Sequence, residues 1–366
     1  VSGLTSCKLG DVVSFGNGKS RPSSEGNIPI YGGNGILGYC ANNNYDGETI
    51  VIGRVGAYCG ATYYENEPIW ISDNALSAKP KGRNNTKFFY YFLKDMDLNQ
   101  HAGGSSHPLV TQTLLNSLDV EVVKCPDEQK AIASVLSSLD DKIDLLHRQN
   151  TTLERMAETL FRQWFVEEAQ EDWEVVPFVD FFDFLEGPGI RNWQYTESGT
   201  PFINIRLISN GDIDISKASY ISNEEANGKY KHFHLQAGDM IVSTSGTLGK
   251  NAIVRDYHLP LMLNTSVIRF RPKDGKNYAF VYQYLNSKLF QEHLESAASG
   301  SVQANFGPVH LKQMTLPKPP SEALEKFANQ ADRFYEKIRI NQAQIKTLEK
   351  LRDNLLPKLM SGEVRL

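Results

Sequence analysis

Three observations predict an α+β fold of two similar mixed α/β domains separated by two long helices, which pair as an antiparallel coiled coil in a pseudo-twofold internal repeat. The first is a stretch from Pro126 whose apolar residues fall on two seven-residue ladders, Ile132, Leu139, Leu146, Leu153, Leu160 and Leu136, Ile143, Asn150, Ala157, Trp164. Apolar positions alternately four and three apart make a seam that a second helix must cover. The second is that the seam recurs after a shift of 195 residues, which carries Lys142-Ile143 onto Lys337-Ile338 and Thr152-Leu153-Glu154 onto Thr347-Leu348-Glu349. The shifted ladders are Phe327, Phe334, Asn341, Leu348, Leu355 and Ala331, Ile338, Ile345, Arg352, Leu359. The third is that the chain before each helix follows one plan of short β-prone runs, an aromatic helix, a Gly/Ser loop and a closing strand before proline.

In chain order, residues 1–125 carry many turn residues between short runs such as Thr49-Ile50-Val51-Ile52 and Ile69-Trp70-Ile71, the texture of a sheet with irregular loops. Lys87 to Leu98 predicts a helix with an aromatic face turned inward, and Leu118 to Val123 a closing strand. The first long helix occupies 126–169. Residues 170–318 repeat the plan: Gly238-Asp239-Met240-Ile241-Val242 echoes Gly47-Glu48-Thr49-Ile50-Val51, Asn264 echoes Asn74, and Tyr278 to Leu289 takes the place of the aromatic helix. Pro317, Pro319 and Pro320 then precede the second long helix within 319–366, as Pro126 begins the first. Two copies of this size do not make a solenoid, which would show more repeats at shorter periods.

The net charge of −5 argues mildly against a simple nucleic-acid binder. Nine acidic and five basic side chains of 126–169 account for nearly all of the excess, so both domains are close to neutral and a local basic face is compatible with them. Cys7, Cys40, Cys59 and Cys125 form no CxxC pair, which fits a reduced, cytoplasmic protein. No apolar run approaches a membrane span, and no membrane partner is expected.

Catalytic signals are weak. Gly16-Asn17-Gly18-Lys19-Ser20 lacks the first glycine of a phosphate loop, where Val13 stands, and Gly246-Thr247-Leu248-Gly249-Lys250 has Thr244 there and Asn251 in place of Ser or Thr. His232 and His234 have no companions at ligand spacing, so no metal site is expected. The loops are the better lead, because polar side chains and backbone N–H groups on loops that approach closely suit phosphate and base-edge contacts. Candidate DNA-binding residues are Lys19, Arg21, Asn34, Arg54, Lys79, Arg83, Ser105, Ser106 and His107 in the first domain. In the second they are Asn204, Arg206, Ser245, Lys250, Asn251, Ser301, Gln303 and Asn305.

Leu9-Gly10-Asp11-Val12, the run Pro126 to Ala133 (PDEQKAIA), Leu160 to Val166 (LFRQWFV), Trp173-Glu174-Val175 and Leu355 to Val364 (LLPKLMSGEV) carry a resemblance along essentially the whole chain. The chain resembles the specificity subunit of a type I restriction-modification enzyme. The resemblance implies a non-catalytic reader of double-stranded DNA, in which two target-recognition domains each take one half of a split, asymmetric sequence and the paired helices set the gap. It further implies docking of two modification (methyltransferase) subunits and of restriction (translocase and nuclease) subunits. S-adenosylmethionine, ATP and Mg would be used by those partners, with no cofactor bound by this chain. The competing readings are the recognition part of a single-chain restriction/methyltransferase enzyme and a coiled-coil protein-interaction adaptor.

The seam also predicts a register. In an antiparallel pair facing residues have a constant index sum, and setting Asn150 against Asn341 gives 491. That register pairs Leu146 with Ile345, Ile143 with Leu348, Leu153 with Ile338, Leu136 with Leu355 and Trp164 with Phe327. Leu139 then faces Arg352, whose stem is expected to pack while its guanidinium reaches solvent.

Overall fold

The computed structural model describes residues 3–103, 108–209, 211–244, 249–274, 277–298 and 306–366. The chain divides into two compact units, one formed by Val1–Arg148 with Asn341–Leu366 and the other by Gln149–Ile340. Each contains a sheet-based domain and a segment of both long helices.

In the first unit, strands β1 (Leu4–Lys8), β2 (Val13–Asn17), β3 (Ile28–Gly32), β4 (Gly35–Cys40), β5 (Thr49–Gly53), β6 (Thr62–Glu65), β7 (Trp70–Ile71), β8 (Ala75–Pro80) and β9 (Asp119–Val123) form three sheets. A four-stranded sheet has the order β2-β8-β5-β6, a three-stranded one β4-β3-β7, and β1 pairs with β9. Pairing is antiparallel except between β3 and β7. The helix Thr86–Asp95 begins at Asn85, whose side chain accepts from the Phe88 N–H, and buries Phe88, Phe89, Tyr91, Phe92 and Leu93. These rings share one core with Ile50, Ile52, Leu76 and Ala78 of the sheet and with Ile132, Leu136, Leu356 and Leu359 of the long helices.

The second unit repeats the scheme with β10 (Val175–Pro177), β11 (Phe182–Glu186), β12 (Tyr195–Thr196), β13 (Thr200–Phe202), β14 (Ile208–Ser209), β15 (Asp212–Ile213), β16 (Ser219–Ile221), β17 (Met240–Ser243), β18 (Asn251–Ile253), β19 (Val267–Pro272) and β20 (Thr315–Pro317). Its four-stranded sheet, β11-β19-β17-β18, matches β2-β8-β5-β6 strand for strand, and β10-β20 matches β1-β9. Where one aromatic helix was expected there are two, Tyr278–Asn286 and Lys288–Ala298. The break falls at buried Ser287, whose hydroxyl donates to the Tyr284 carbonyl and accepts from the Phe290 N–H, so it starts the next helix.

The long helices span Pro126–Arg162 and Ser321–Met360. The first opens on proline with Asp127 and Glu128 in its first turn, where the helix dipole favours acid. It closes through a wider turn, Gln163–Glu167, with the Glu168 N–H on the Gln163 carbonyl at 2.8 Å. Within each unit the two helix segments pack antiparallel through ladder residues. Ile143 and Leu146 pack with Ile345 and Leu348 in the first, while Leu153, Ala157 and Trp164 share a core with Ile338, Ala331 and Phe327 in the second. Phe327 is fully buried, edge-on to Phe161, Trp164 and Phe165, so a ring fits this seam because the neighbouring domain supplies aromatic partners such as Phe280.

Arg352 departs from expectation. Its guanidinium is not released to solvent but held by Asp140 and Asp353, each at 2.8 Å, with the side chain 19% exposed. The other Asp140 oxygen accepts from the Tyr91 hydroxyl at 2.7 Å, so one carboxylate ties the domain to both helices of its unit.

Gln129, fully buried in the first helical turn, makes an equivalent junction: it accepts from the Asn85 N–H (2.8 Å) and donates to the Val123 carbonyl (2.7 Å) and to Asn84 (3.0 Å). Gln129→Ala would leave a buried N–H and a buried carbonyl without partners, at about 1 to 3 kcal/mol each. Chemical denaturation should therefore show a loss of about 2 to 5 kcal/mol; a loss below about 1 kcal/mol would mean that water takes over these bonds.

Candidate nucleic-acid interface

A single end of each four-stranded sheet gathers the loops. In the first unit the Gly18 N–H donates to the Ala75 carbonyl (3.2 Å), the Arg54 N–H to that of Asn74 (3.0 Å) and the Val110 N–H to that of Arg54 (2.9 Å). In the second unit the same frame joins Gly187 to Val267 (3.4 Å), Thr244 to Ser266 (3.0 Å) and Phe306 to Thr244 (3.2 Å). Four segments from different parts of each domain are thus stapled to one another through backbone groups rather than side chains.

Glycine is required where the frame is tightest. A Cβ at Gly18 would collide with the Ser72 carbonyl oxygen, and one at Gly187 with the backbone of Asn264. This equivalence corrects the expected alignment of the halves: Ser266, not Asn264, occupies the place of Asn74, whereas Asn264 takes that of Ser72. Loops of unequal length separate the strands, so the constant shift that fits the helices does not carry over to the loop ends.

The expected site residues distribute unevenly over this frame. In the first unit Lys19, Arg21, Asn34 and Arg54 belong to the loop end. Lys19 is exposed with its N–H on the Ile71 carbonyl at 3.0 Å, and Arg21 lays its guanidinium against Gly38. Asn34 sits in the two-residue turn between β3 and β4, and Gly33 beside it packs against the Val55 carbonyl. Lys79 instead points its ammonium at the Asp46 carbonyl (3.1 Å), and Arg83 lies beside Thr5, Cys7, Val122 and Pro126, so neither joins the group.

In the second unit Asn204 uses its side chain to cap the turn Ile205–Leu207, accepting from the Arg206 N–H at 2.9 Å, while Arg206 is exposed. Lys250 and Asn251 line a cleft of about 530 Å³ with Glu154, Glu158, Tyr282 and Gln283. Ser105, Ser106, His107, Ser245, Ser301, Gln303 and Asn305 lie outside the described residues. Asn150 is half-buried on the first long helix and Asn341 fully buried on the second.

The structure adds residues that sequence reading passed over. Thr244, Thr265, Ser266 and His310 surround a hollow of about 430 Å³ at the loop end of the second unit. Arg191 and Asn192 are exposed on the segment that leaves β11 at Gly187, the counterpart of the Lys19–Arg21 segment. Matching Gly18 with Gly187 would have found them. Conversely, Arg271 is clamped to buried Asp239 by two bonds (2.7 and 2.9 Å), and Arg269 to Asp183 (2.7 Å), so these cations serve the sheet. Among the described residues no group of three His, Cys, Asp or Glu is placed to hold a metal ion, and no helix is long and apolar enough to cross a membrane.

Residues 2–155 and 170–350 match the family described as Type I restriction modification DNA specificity domain. The chain is 28% identical over 324 residues to the specificity subunit of the type I restriction enzyme MjaIX of Methanocaldococcus jannaschii, covering 82% of this chain and 74% of the relative. It is 24% identical over 311 residues to the MjaVIII specificity subunit of the same organism, covering 80% and 73%. Among solved structures, the S subunit of a type I restriction-modification system from M. genitalium has a similar fold, with a TM-score of 0.62 at 18% identity over 98% of this chain and 96% of that one.

In the cleft, burial pushes the Glu154 carboxyl above the ordinary range, outweighing the Tyr282 hydroxyl that donates to it at 3.0 Å and the nearby Arg255. A raised folded-state pKa favours the protonated form, so the stability it contributes is full at acid pH and lost as pH rises through the folded value. Glu154→Gln keeps an acceptor for Tyr282 and removes the buried charge. The variant should melt higher than the parent at neutral pH, with the difference closing below about pH 4; a melting temperature lowered at neutral pH would show that the charge is needed.

Proposed function

The chain belongs to the type I restriction-modification DNA specificity family, which makes it a non-catalytic DNA specificity subunit with two target-recognition domains, and from that premise we propose that each domain reads one half of a split target with its stapled loop end. The domains are assigned to 1–125 and 170–318, with 126–169 and 319–366 as the helical spacer. The observation that carries this reading is the backbone frame shared by both units, which holds four segments together through main-chain rather than side-chain groups. A reader whose targets diversify needs that separation of scaffold from contact residues.

In this reading Lys19 and Arg21 meet phosphates, while Asn34 and Arg54 lie near base edges. Arg206, Lys250 and Asn251 serve the second half, and the Gly/Ser loops with Ser105, Ser106, His107, Ser301, Gln303 and Asn305 complete the two faces. The modification subunits dock on the helices and methylate adenine with S-adenosylmethionine, and the restriction subunits use ATP and Mg, so this chain's contribution is position. Its own residues bind and orient the duplex for chemistry performed elsewhere.

Replacing residues 170–318 with the corresponding domain of a relative should change one half of the methylated sequence in mapped genomic DNA. A change in both halves, or in neither, would refute modular reading. Lys19→Ala and Arg21→Ala, in the complex with the modification subunits, should each weaken binding to cognate and unrelated duplexes alike. Each should also flatten the dependence of log affinity on log salt by about one unit; an unchanged slope would place these side chains off the DNA.

A further inference from the structure

Of the four tryptophans, Trp70, Trp164 and Trp173 are half-buried, the last two against Phe327 and Phe165. Trp193 is 80% exposed. An indole is the largest apolar side chain and ordinarily finds cover in the fold, so its presentation to solvent requires a reason.

The turn that carries it is locked. Gln194, the next residue, is buried: its amide oxygen accepts from the Arg191 N–H at 3.0 Å, and its amide nitrogen donates to Glu225 (3.0 Å) and to the Tyr230 hydroxyl (3.1 Å). The Gln194 N–H returns to the Arg191 carbonyl at 2.9 Å. On one side Ile190 is buried in a small core with Phe202, Ile221 and Met262; on the other, Tyr195 pairs with Ile221 in the sheet and packs on Phe202 at 5.2 Å between ring centroids. The backbone on either side of the exposed ring is therefore fixed, and the ordering cost of presenting it is met by the fold.

The position of the turn matters as much as its rigidity. The segment leaves the sheet at Gly187, inside the loop frame, and Gly189 faces the Thr265 methyl. Arg191 and Asn192, immediately before the indole, are exposed. A preorganised aromatic plane beside a guanidinium and an amide matches a nucleobase with its flanking phosphate.

We propose that Trp193 is a DNA wedge: its indole stacks into a base step of the half-target read by the second domain, partly unstacking it, while Arg191 engages the adjacent phosphate. This rests on the recognition reading above and adds the manner of contact. The first domain carries Lys19 and Arg21 in the corresponding segment, so the two halves are gripped differently, one by charge alone and the other by charge with a stacked ring.

The test uses the full chain assembled with its modification subunits and a duplex selected from a randomised pool by that wild-type complex. A fluorescent adenine analogue is placed in turn at each adenine of the second half. The wild-type complex should raise analogue emission at one step and quench indole emission. Trp193→Ala should weaken binding at least about fivefold and abolish the analogue signal, Trp193→Phe should retain part of both, and the melting temperature should stay unchanged because the ring faces solvent. Wild-type affinity and analogue signal in Trp193→Ala would overturn the wedge while leaving the recognition reading standing. So would loss of modification-subunit binding with DNA contact intact, which would make the ring a protein contact. A wild-type complex that selects no sequence would instead bring down the recognition reading itself.

Discussion

Neither long helix can be stable with its apolar stripe in water, and everything else in this molecule follows from how that stripe is covered. Each seam residue of Leu or Ile size contributes on the order of 1.5 to 3 kcal/mol when buried. In the first unit the stripe is covered by the partner helix and by the aromatic helix Thr86–Asp95; in the second, by the partner helix and by the rings around Phe280. At Ile132, Leu136, Leu356 and Leu359 in the first unit, and at Ala157, Phe327, Ala331 and Ile338 in the second, seam and domain share one core, whereas Ile143, Leu146 and Ile345 form a small cluster of the helices alone. The helix segments cannot shift where they share a core without opening the domain packed on them.

Polar groups reinforce that continuity where apolar packing alone would permit sliding. Asp140 receives both Tyr91 and Arg352, and Gln129 receives the start of the aromatic helix and the end of β9. Tyr335 and Tyr282 do similar work in the second unit, donating to Gln283 (2.9 Å) and Glu154 (3.0 Å). Such bonds are directional and lie in surroundings of low polarity, so displacing one by a single residue costs far more than displacing a leucine. In the first unit the domain is thus anchored at the strand ends nearest the helices, and the opposite end is left for the loops held by backbone bonds.

The heptads, the prolines before each helix and the aromatic run at residues 87–98 read directly as elements because their periodicity is local. The split at Ser287 did not, since a serine inside an apolar helix signals nothing until its hydroxyl is seen capping the next one. Arg352 was legible as an interruption of the seam, but its partners Asp140 and Asp353 were not, because an arginine stem reaches solvent or a neighbour with equal ease. Lys19, Arg21, Asn34 and Arg54, which the fold brings to the loop end, were singled out from composition and turn residues. Lys79 was drawn to them by charge alone, whereas its ammonium serves the Asp46 carbonyl.

What the sequence by itself determined is the duplication and the helix seam, since these depend on spacing along one chain, and with them the resemblance that placed the protein among DNA specificity subunits. Only the tertiary structure decided which loops share an end of the sheet, because that depends on strand order and on hydrogen bonds between residues far apart in sequence. The bonds from Gly18 to Ala75 and from Gly187 to Val267 show the two halves to be equivalent where their residues have little in common. The same frame explains why Trp193 was overlooked: nothing in its neighbours' identities distinguishes a core tryptophan from an exposed one, and only the burial of Gln194 beside it turns the ring outward.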